Sequence, residues 1–374
     1  MQRSPSAVRV RTLAACVAAA CCGSAIAAGS VLSEEGGRIP NTGNTSSVVG
    51  WRFVPGQVFG GVAGAMDGVA RINFNNASGN YACSGSLMQG GQYVLTAAHC
   101  ADNFSSMTVN FGWAGGSAAV TRSVTEAVLH PTWLGFENSA DAGNDLALVR
   151  LSAPVTTIGG YALSGSNDVG KTYLMAGYGT TSVGSADTAT NWGDSGYGHY
   201  GWNTFDVDSK TFNRVVDAVT PGWGYDAAYF VGTTYMSDYD GPNGSYNTLG
   251  KVASLTGGFT SGGGLGANEA LIAGGDSGGG DFVLEGGQWL LSAVHSWGWQ
   301  GNSVCGLIGG GSLTGCDIST RNASSYGDLS GATALFDQTG WINSVIAVPE
   351  PGTHALMLGG LLAVGVFAAK RKRA

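Results

Sequence analysis

Gly274-Gly275-Asp276-Ser277-Gly278-Gly279 sets four glycines around one aspartate and one serine. Glycine reaches backbone conformations closed to other residues, so such a run makes a strained turn that presents a hydroxyl. The N–H groups of Gly275 and Ser277 then converge on one point, where an oxyanion would form. In isolation the run also reads as a flexible glycine linker. A serine hydroxyl is a weak nucleophile until a base takes its proton, so the rest of the chain has to supply that base.

Two stretches upstream have the needed chemistry. Leu95-Thr96-Ala97-Ala98-His99-Cys100 carries an apolar strand into two alanines and a histidine, which places the imidazole at a strand end with little crowding. Imidazole titrates near neutral pH and can take a proton and return it. Asn144-Asp145-Leu146-Ala147-Leu148-Val149-Arg150-Leu151 opens a strongly apolar strand with an aspartate. A carboxylate half buried there needs a donor, and an imidazole N–H suits it. Alone, an aspartate before a strand is usually a turn residue. His130, His199, His295 and His354 have no comparable setting and read as structural or surface groups.

The surrounding pattern is that of an all-β chain. Val69–Phe74, Tyr93–Thr96, Met107–Phe111, Ser123–Leu129, Leu146–Leu151 and Lys171–Ala176 are short apolar or alternating runs punctuated by glycine. Strands at this spacing indicate a barrel or sandwich. The composition agrees: 64 of 374 residues are glycine and only 11% are charged. Residues 181–264, rich in Gly, Ser, Asn, Tyr and Trp, read as long loops packing on their own barrel. Trp341, Ile342, Val345 and Ile346 share one helical face and predict a closing helix docked on the barrel.

In this order the three stretches resemble the chymotrypsin–trypsin family of serine peptidases, with its TAAHC, D-[IL]-A-L and GDSGG motifs. The resemblance covers roughly residues 58–347. It implies an all-β, two-barrel chymotrypsin-like fold with a C-terminal helix, the barrels spanning approximately 58–165 and 166–347. It further implies a triad of His99, Asp145 and Ser277, with the Gly275 and Ser277 amides as oxyanion hole. The activity so implied is serine endopeptidase, acting on a protein or peptide substrate through an acyl-enzyme, with no metal or organic cofactor. A catalytically inactive homologue serving as a surface or matrix binding protein is the alternative, and the intact triad positions weigh against it.

Smaller matches carry further expectations. Ser296-Trp297-Gly298 resembles the strand that pairs with substrate backbone and walls the specificity pocket, and Leu271, six residues before Ser277, takes the pocket floor. An apolar floor implies an apolar or small side chain in the substrate rather than Lys or Arg, unless Glu269 approaches the pocket. Val58-Phe59-Gly60-Gly61 resembles the family's activated amino terminus, whose freed amine would pair with Asp276. Gln57 precedes it, which is not a tryptic site, so an enzyme active without such cleavage fits equally well. Asp238-Tyr239-Asp240 with Asn243 matches no complete calcium loop and reads as a polar turn.

Both ends read as addresses. Arg3, Arg9 and Arg11 precede the apolar run Leu13–Ile26, and Ala25-Ile26-Ala27 is a small-x-small cleavage site, so residues 1–27 read as a secretory signal peptide. Residues 28–57 have no sustained period and read as a linker or pro-segment. Without the leader four cysteines remain, Cys83, Cys100, Cys305 and Cys316. An even number in an exported chain suggests two disulfides, with three pairings open. The family resemblance implies Cys83–Cys100, and so Cys305–Cys316.

Val348-Pro349-Glu350-Pro351 leads into the apolar run Ala355–Ala369 and then Lys370-Arg371-Lys372-Arg373. Residues 348–374 resemble the PEP-CTERM sorting signal of Gram-negative bacteria. That resemblance implies an exosortase-type processing enzyme as partner, transient anchoring in the inner membrane, and a secreted or cell-surface destination. Leader and tail hold seven of the 17 basic residues but one of the 25 acidic ones, which leaves a folded region near −14. That charge argues against nucleic acid as a partner.

Overall fold

The expected strands form, and they do so in two sheets. The structure, a computed structural model, describes residues 48–181, 184–185, 194–220, 222–309, 316–318 and 324–347. The leader, residues 28–47 of the linker, and the sorting signal lie outside them. Three short strands come first: β1 (Arg52–Phe53) and the hairpin of β2 (Val58–Phe59) with β3 (Val62–Ala63). Then β4 (Val69–Asn76), β5 (Gly79–Leu87), β6 (Tyr93–Thr96), β7 (Ser106–Phe111), β8 (Val120–Leu129) and β9 (Ala147–Leu151) close a barrel in the order β4-β5-β6-β9-β8-β7. Closure leaves no strand edge open. Ile72, Leu87, Val94, Leu95, Val109, Phe111 and Leu148 are fully buried here.

The second half is an eight-stranded antiparallel sheet. Its strands are β10 (Thr172–Gly177), β11 (Gly198–Thr204), β12 (Val207–Asp208), β13 (Thr234–Asp238), β14 (Gly280–Glu285), β15 (Gln288–Trp299) and β16 (Leu329–Ala334), together with β1. They run β1-β11-β10-β14-β15-β16-β13-β12. Among the described residues no ladder joins β1 to β12, so the strand pairing of this second sheet does not run full circle. Tyr173, Met175, Phe205, Tyr235, Val283 and Ala293 pack its core.

The described residues within 181–264 are more than loops decorating a barrel. They contribute β11, β12 and β13 to the sheet, and the helices Ser209–Val219 and Thr248–Thr256. Several aromatic residues of this stretch enter the core: Tyr200, Phe205, Phe212 and Tyr235 are each at most 2% exposed. Asp208 caps the first helix by accepting from Thr211 N–H, and Asn247 caps the second through Gly250 N–H. Phe212, Val216, Leu249 and Val252 pack with Met236, Trp299 and Leu329 in a second apolar cluster.

Residues 48–57 are likewise more than a linker. β1 pairs with β11, Arg52 opposite His199 and Phe53 opposite Gly198. Trp51, 1% exposed, joins the sheet core, and Arg52 Nε donates to Asp194 Oδ2 at 2.7 Å. Fully burying an aromatic of this size contributes on the order of 2–3 kcal/mol. At the other end a separate compact unit begins at Gly340, and the expected helix is Thr339–Ile346.

Candidate active site

Strand register brings His99 and Asp145 to one end of the barrel. Thr96 at the end of β6 lies opposite Ala147 at the start of β9. His99 follows Thr96 by three residues, in the single turn Ala98–Ala101, and Asp145 precedes Ala147 by two. In an antiparallel pair those two ends coincide. Asp145 is fully buried, and its Oδ1 accepts the His99 main-chain N–H at 3.0 Å. Its Oδ2 faces His99 Nδ1 at 2.7 Å. An ionised carboxylate only accepts, so Nδ1 carries the proton and Nε2 is left with a free lone pair, as a general base requires.

The second sheet brings up its own pair. Gly280 at the start of β14 lies opposite Val294 of β15, so Ser277 and Ser296 leave the same end of that hairpin. The β15–β16 register slips between His295 and Trp297, which makes Ser296 the extra residue of a bulge. Bulges re-aim side chains. Here Ser296 Oγ reaches into the barrel and donates to Asp145 Oδ2 at 2.6 Å.

The turn that holds Ser277 is stitched to the barrel through Ser84 of β5. Ser84 N–H donates to the Ser277 carbonyl at 2.8 Å, Ser84 Oγ donates to the Gly275 carbonyl at 3.1 Å, and Tyr178 N–H donates to that same hydroxyl at 2.9 Å. Cys100, next to His99, has its Sγ 3.5 Å from the Ser277 carbonyl oxygen. Gly275 and Gly278 have φ of +101° and +81°, and a Cβ at Gly278 would overlap Thr96 Oγ1 and the Ser84 carbonyl. Among the described residues neither the Gly275 nor the Ser277 N–H donates to a protein acceptor. Among the same residues no hydrogen bond joins Ser277 Oγ to His99 Nε2. Such bonds are often long in ligand-free sites and tighten as substrate binds.

Both disulfides form, Cys83–Cys100 with Cα atoms 6.2 Å apart and Cys305–Cys316 with 6.3 Å. The first ties β5 to the turn carrying His99. Cys83, His99 and Cys100 also lie close enough to suggest a metal cluster. The two sulfurs are bonded to each other, which leaves a single nitrogen and no chelate.

The residues expected to bind substrate have the following surroundings. Leu271 is 1% exposed and packs with Tyr239 and Tyr326. Ser296 serves Asp145, Trp297 lies across Gly331 against the helical cluster, and Gly298 pairs with Ser330. Glu269 does not approach a pocket: its oxygens accept from Asp240 N–H at 2.8 Å and Leu265 N–H at 2.5 Å. Burial pushes its carboxyl up to about 8 and, with repulsion from neighbouring acids, that of Asp240 to about 10. Asp238, raised to about 7 chiefly by burial, completes this acidic group.

Val58 is 60% exposed, and Asp276 is fully buried with its carboxylate already engaged by Gly179 N–H at 2.6 Å and Ala273 N–H at 2.9 Å. In the uncleaved chain Asp276 thus already has backbone donors for its carboxylate. One contributor escaped the sequence reading: Ser84, since a small hydroxyl residue in a strand carries no signal of a distant hydrogen-bond partner.

A trypsin family model matches residues 60–196, which include His99 and Asp145, and a PEP-CTERM protein-sorting motif matches residues 347–373. The chain is 35% identical over 80 residues to transmembrane protease serine 11G of Rattus norvegicus, covering 21% of this chain and 18% of that protein. It is 34% identical over 119 residues to brachyurin of Leptuca pugilator, covering 30% and 45% respectively. The chain thus spans less than half the length of these curated relatives. Among solved structures, HL collagenase aligns with a TM-score of 0.48 at 17% identity, over 81% of this chain and 100% of that one. The protease Anisep of Arthrobacter nicotinovorans aligns with a TM-score of 0.41 at 14% identity, over 72% and 90%.

Proposed function

We propose that this chain is an exported serine endopeptidase in which Ser277 is the nucleophile, His99 the general base and acid, and Asp145 the group that orients it. The observation that carries the reading is the bond from His99 Nδ1 to the buried Asp145, at the barrel end where the Ser277 turn is stitched. Ser277 Oγ attacks the scissile carbonyl while His99 Nε2 takes its proton. Asp145 stabilises the resulting imidazolium, and the Gly275 and Ser277 amides receive the oxyanion. His99 then protonates the departing amine, and water hydrolyses the acyl-enzyme with His99 again as base.

Preference for an apolar or small side chain is supported by Glu269 being taken up by backbone amides, which leaves that acid unable to receive a Lys or Arg side chain. The PEP-CTERM motif implies export and sorting at the cell surface of a Gram-negative bacterium, with an exosortase-type enzyme acting on the tail. Among the described residues no helix is long and apolar enough to cross a membrane. The apolar run Ala355–Ala369 lies outside them and is proposed as the transient anchor.

Fluorophosphonate labelling followed by peptide mapping tests the assignment. Label on Ser277, and casein hydrolysis abolished by Ser277→Ala, are the expected results. A folded protein that neither labels nor cleaves would instead be the inactive homologue, and one that cleaves short-chain esters but not casein would be another class of serine hydrolase.

A further inference from the structure

The turn that carries Ser277 rests on a buried pair of ionisable residues that the proposed chemistry does not use. His295, on β15, is 1% exposed, and so is Asp281 on β14. His295 Nε2 meets Asp281 Oδ1 at 2.6 Å, and Nδ1 meets the Asp276 main-chain oxygen at 3.1 Å. A carbonyl oxygen can only accept, so Nδ1 must bear a proton. The pair at Nε2 holds under either sharing of its proton, and both leave Nδ1–H aimed at Asp276. Burial opposes a charge on His295, but Asp281 and Asp276 outweigh it and raise the imidazole above its ordinary range. The main chain of His295 also grips the turn, accepting from Gly278 N–H at 2.8 Å and donating to the Gly279 carbonyl at 2.9 Å.

The other route to ordering this turn is not engaged in the uncleaved chain. An amine freed at Val58 would have to reach Asp276, whose carboxylate already accepts from Gly179 N–H and Ala273 N–H. The residues just ahead of Val58 are committed elsewhere, with Trp51 in the sheet core and Arg52 paired to Asp194.

We propose that His295, its ring fixed by Asp281, is a positioning residue that holds the Asp276–Ser277 turn and its oxyanion amides in the working arrangement from inside the fold, without a new amino terminus at Val58. The inference rests on the peptidase reading and concerns how that site is switched on. Loss of one oxyanion donor typically costs a factor of about 10²–10³ in kcat, and displacing the turn that holds two should approach that range.

Two measurements test it. In the wild-type protein, intact mass of the fluorophosphonate-labelled species should retain residues ahead of Val58; label confined to chains beginning at Val58 would overturn the proposal. Replacing the pair together, His295→Leu with Asp281→Leu, orphans no buried charge and favours retention of the fold. That variant should keep its thermal transition and KM while kcat falls by roughly tenfold or more. His295→Asn, whose amide can occupy the Nδ1 position, should recover much of the loss. A double variant with wild-type kcat would refute the positioning role. Wild-type protein that never labels would instead refute the peptidase reading beneath it.

Discussion

Ser296 Oγ donates to the same oxygen of Asp145, Oδ2, that His99 Nδ1 contacts. The carboxylate is thus held from the sheet as well as from the barrel, which fixes the plane in which the imidazole must lie. A hydrogen bond to a charged group contributes about 1.5–3 kcal/mol. Ser296→Ala should therefore lower kcat by roughly one order of magnitude and leave KM nearly unchanged, because the residue acts through Asp145. Steady-state kinetics on a peptide substrate decide this; a change confined to KM would return Ser296 to the substrate wall.

Gly278 admits no side chain. Its φ is +81°, and a Cβ would overlap Thr96 Oγ1 and the carbonyl of Ser84. The second contact is with backbone, which cannot swing aside. Gly278→Ala should destabilise the fold by more than the ~1 kcal/mol of positive φ alone and abolish fluorophosphonate labelling. A variant that melts and labels like the wild type would mean that the turn is not seated against β5 and β6.

The segment before Val58 should behave as part of the domain. Trp51→Ala removes a side chain that is 1% exposed from the sheet core, a change that typically costs about 3–5 kcal/mol. Chemical denaturation should reveal a loss of that size, and truncation to Val58 should be worse still. A fully stable protein beginning at Val58 would restore the pro-segment reading.

Stability should decline toward alkaline pH. Asp238 and Asp276 are raised to about 7 and Glu269 to about 8, in each case chiefly by burial. Their folded values exceed the unfolded ones near 4, so the folded state binds more protons in between. The stability they contribute is complete below pH 4 and is lost as pH rises through 7 to 8. Asp194 works in the opposite sense: burial opposes its charge, but His199 and Arg52 hold it down to about 2, so its contribution is lost only in strong acid. The melting temperature should fall between pH 5 and 9, with a shallower slope in Glu269→Gln. A melting temperature that rises across that range would contradict the neutral buried acids.

The strands of the first barrel and the glycine turn around Ser277 could be read from the chain because each is written locally, whereas the disulfide pairing came only from the family resemblance. Alternation marks a strand, and clustered glycine marks a turn of positive φ. Residues 181–264 misled for the converse reason. Glycine is depleted from strands and tyrosine enriched in them, so the composition points both ways, and β11 and β13 are strands because Tyr200 and Tyr235 find a core to enter. Trp51 is the same case at the other end of the domain.

What the chain alone determined is the set of candidate groups and their order: a histidine after one strand, an aspartate before another, a serine between glycines. Only the tertiary structure decided which groups support them. Ser296 lies 151 residues from Asp145, and Ser84 lies 191 from Gly275. Contacts across such distances depend on strand register and on one bulge at Ser296, and no local pattern of hydrophobicity records the identity of a hydrogen-bond partner so far away.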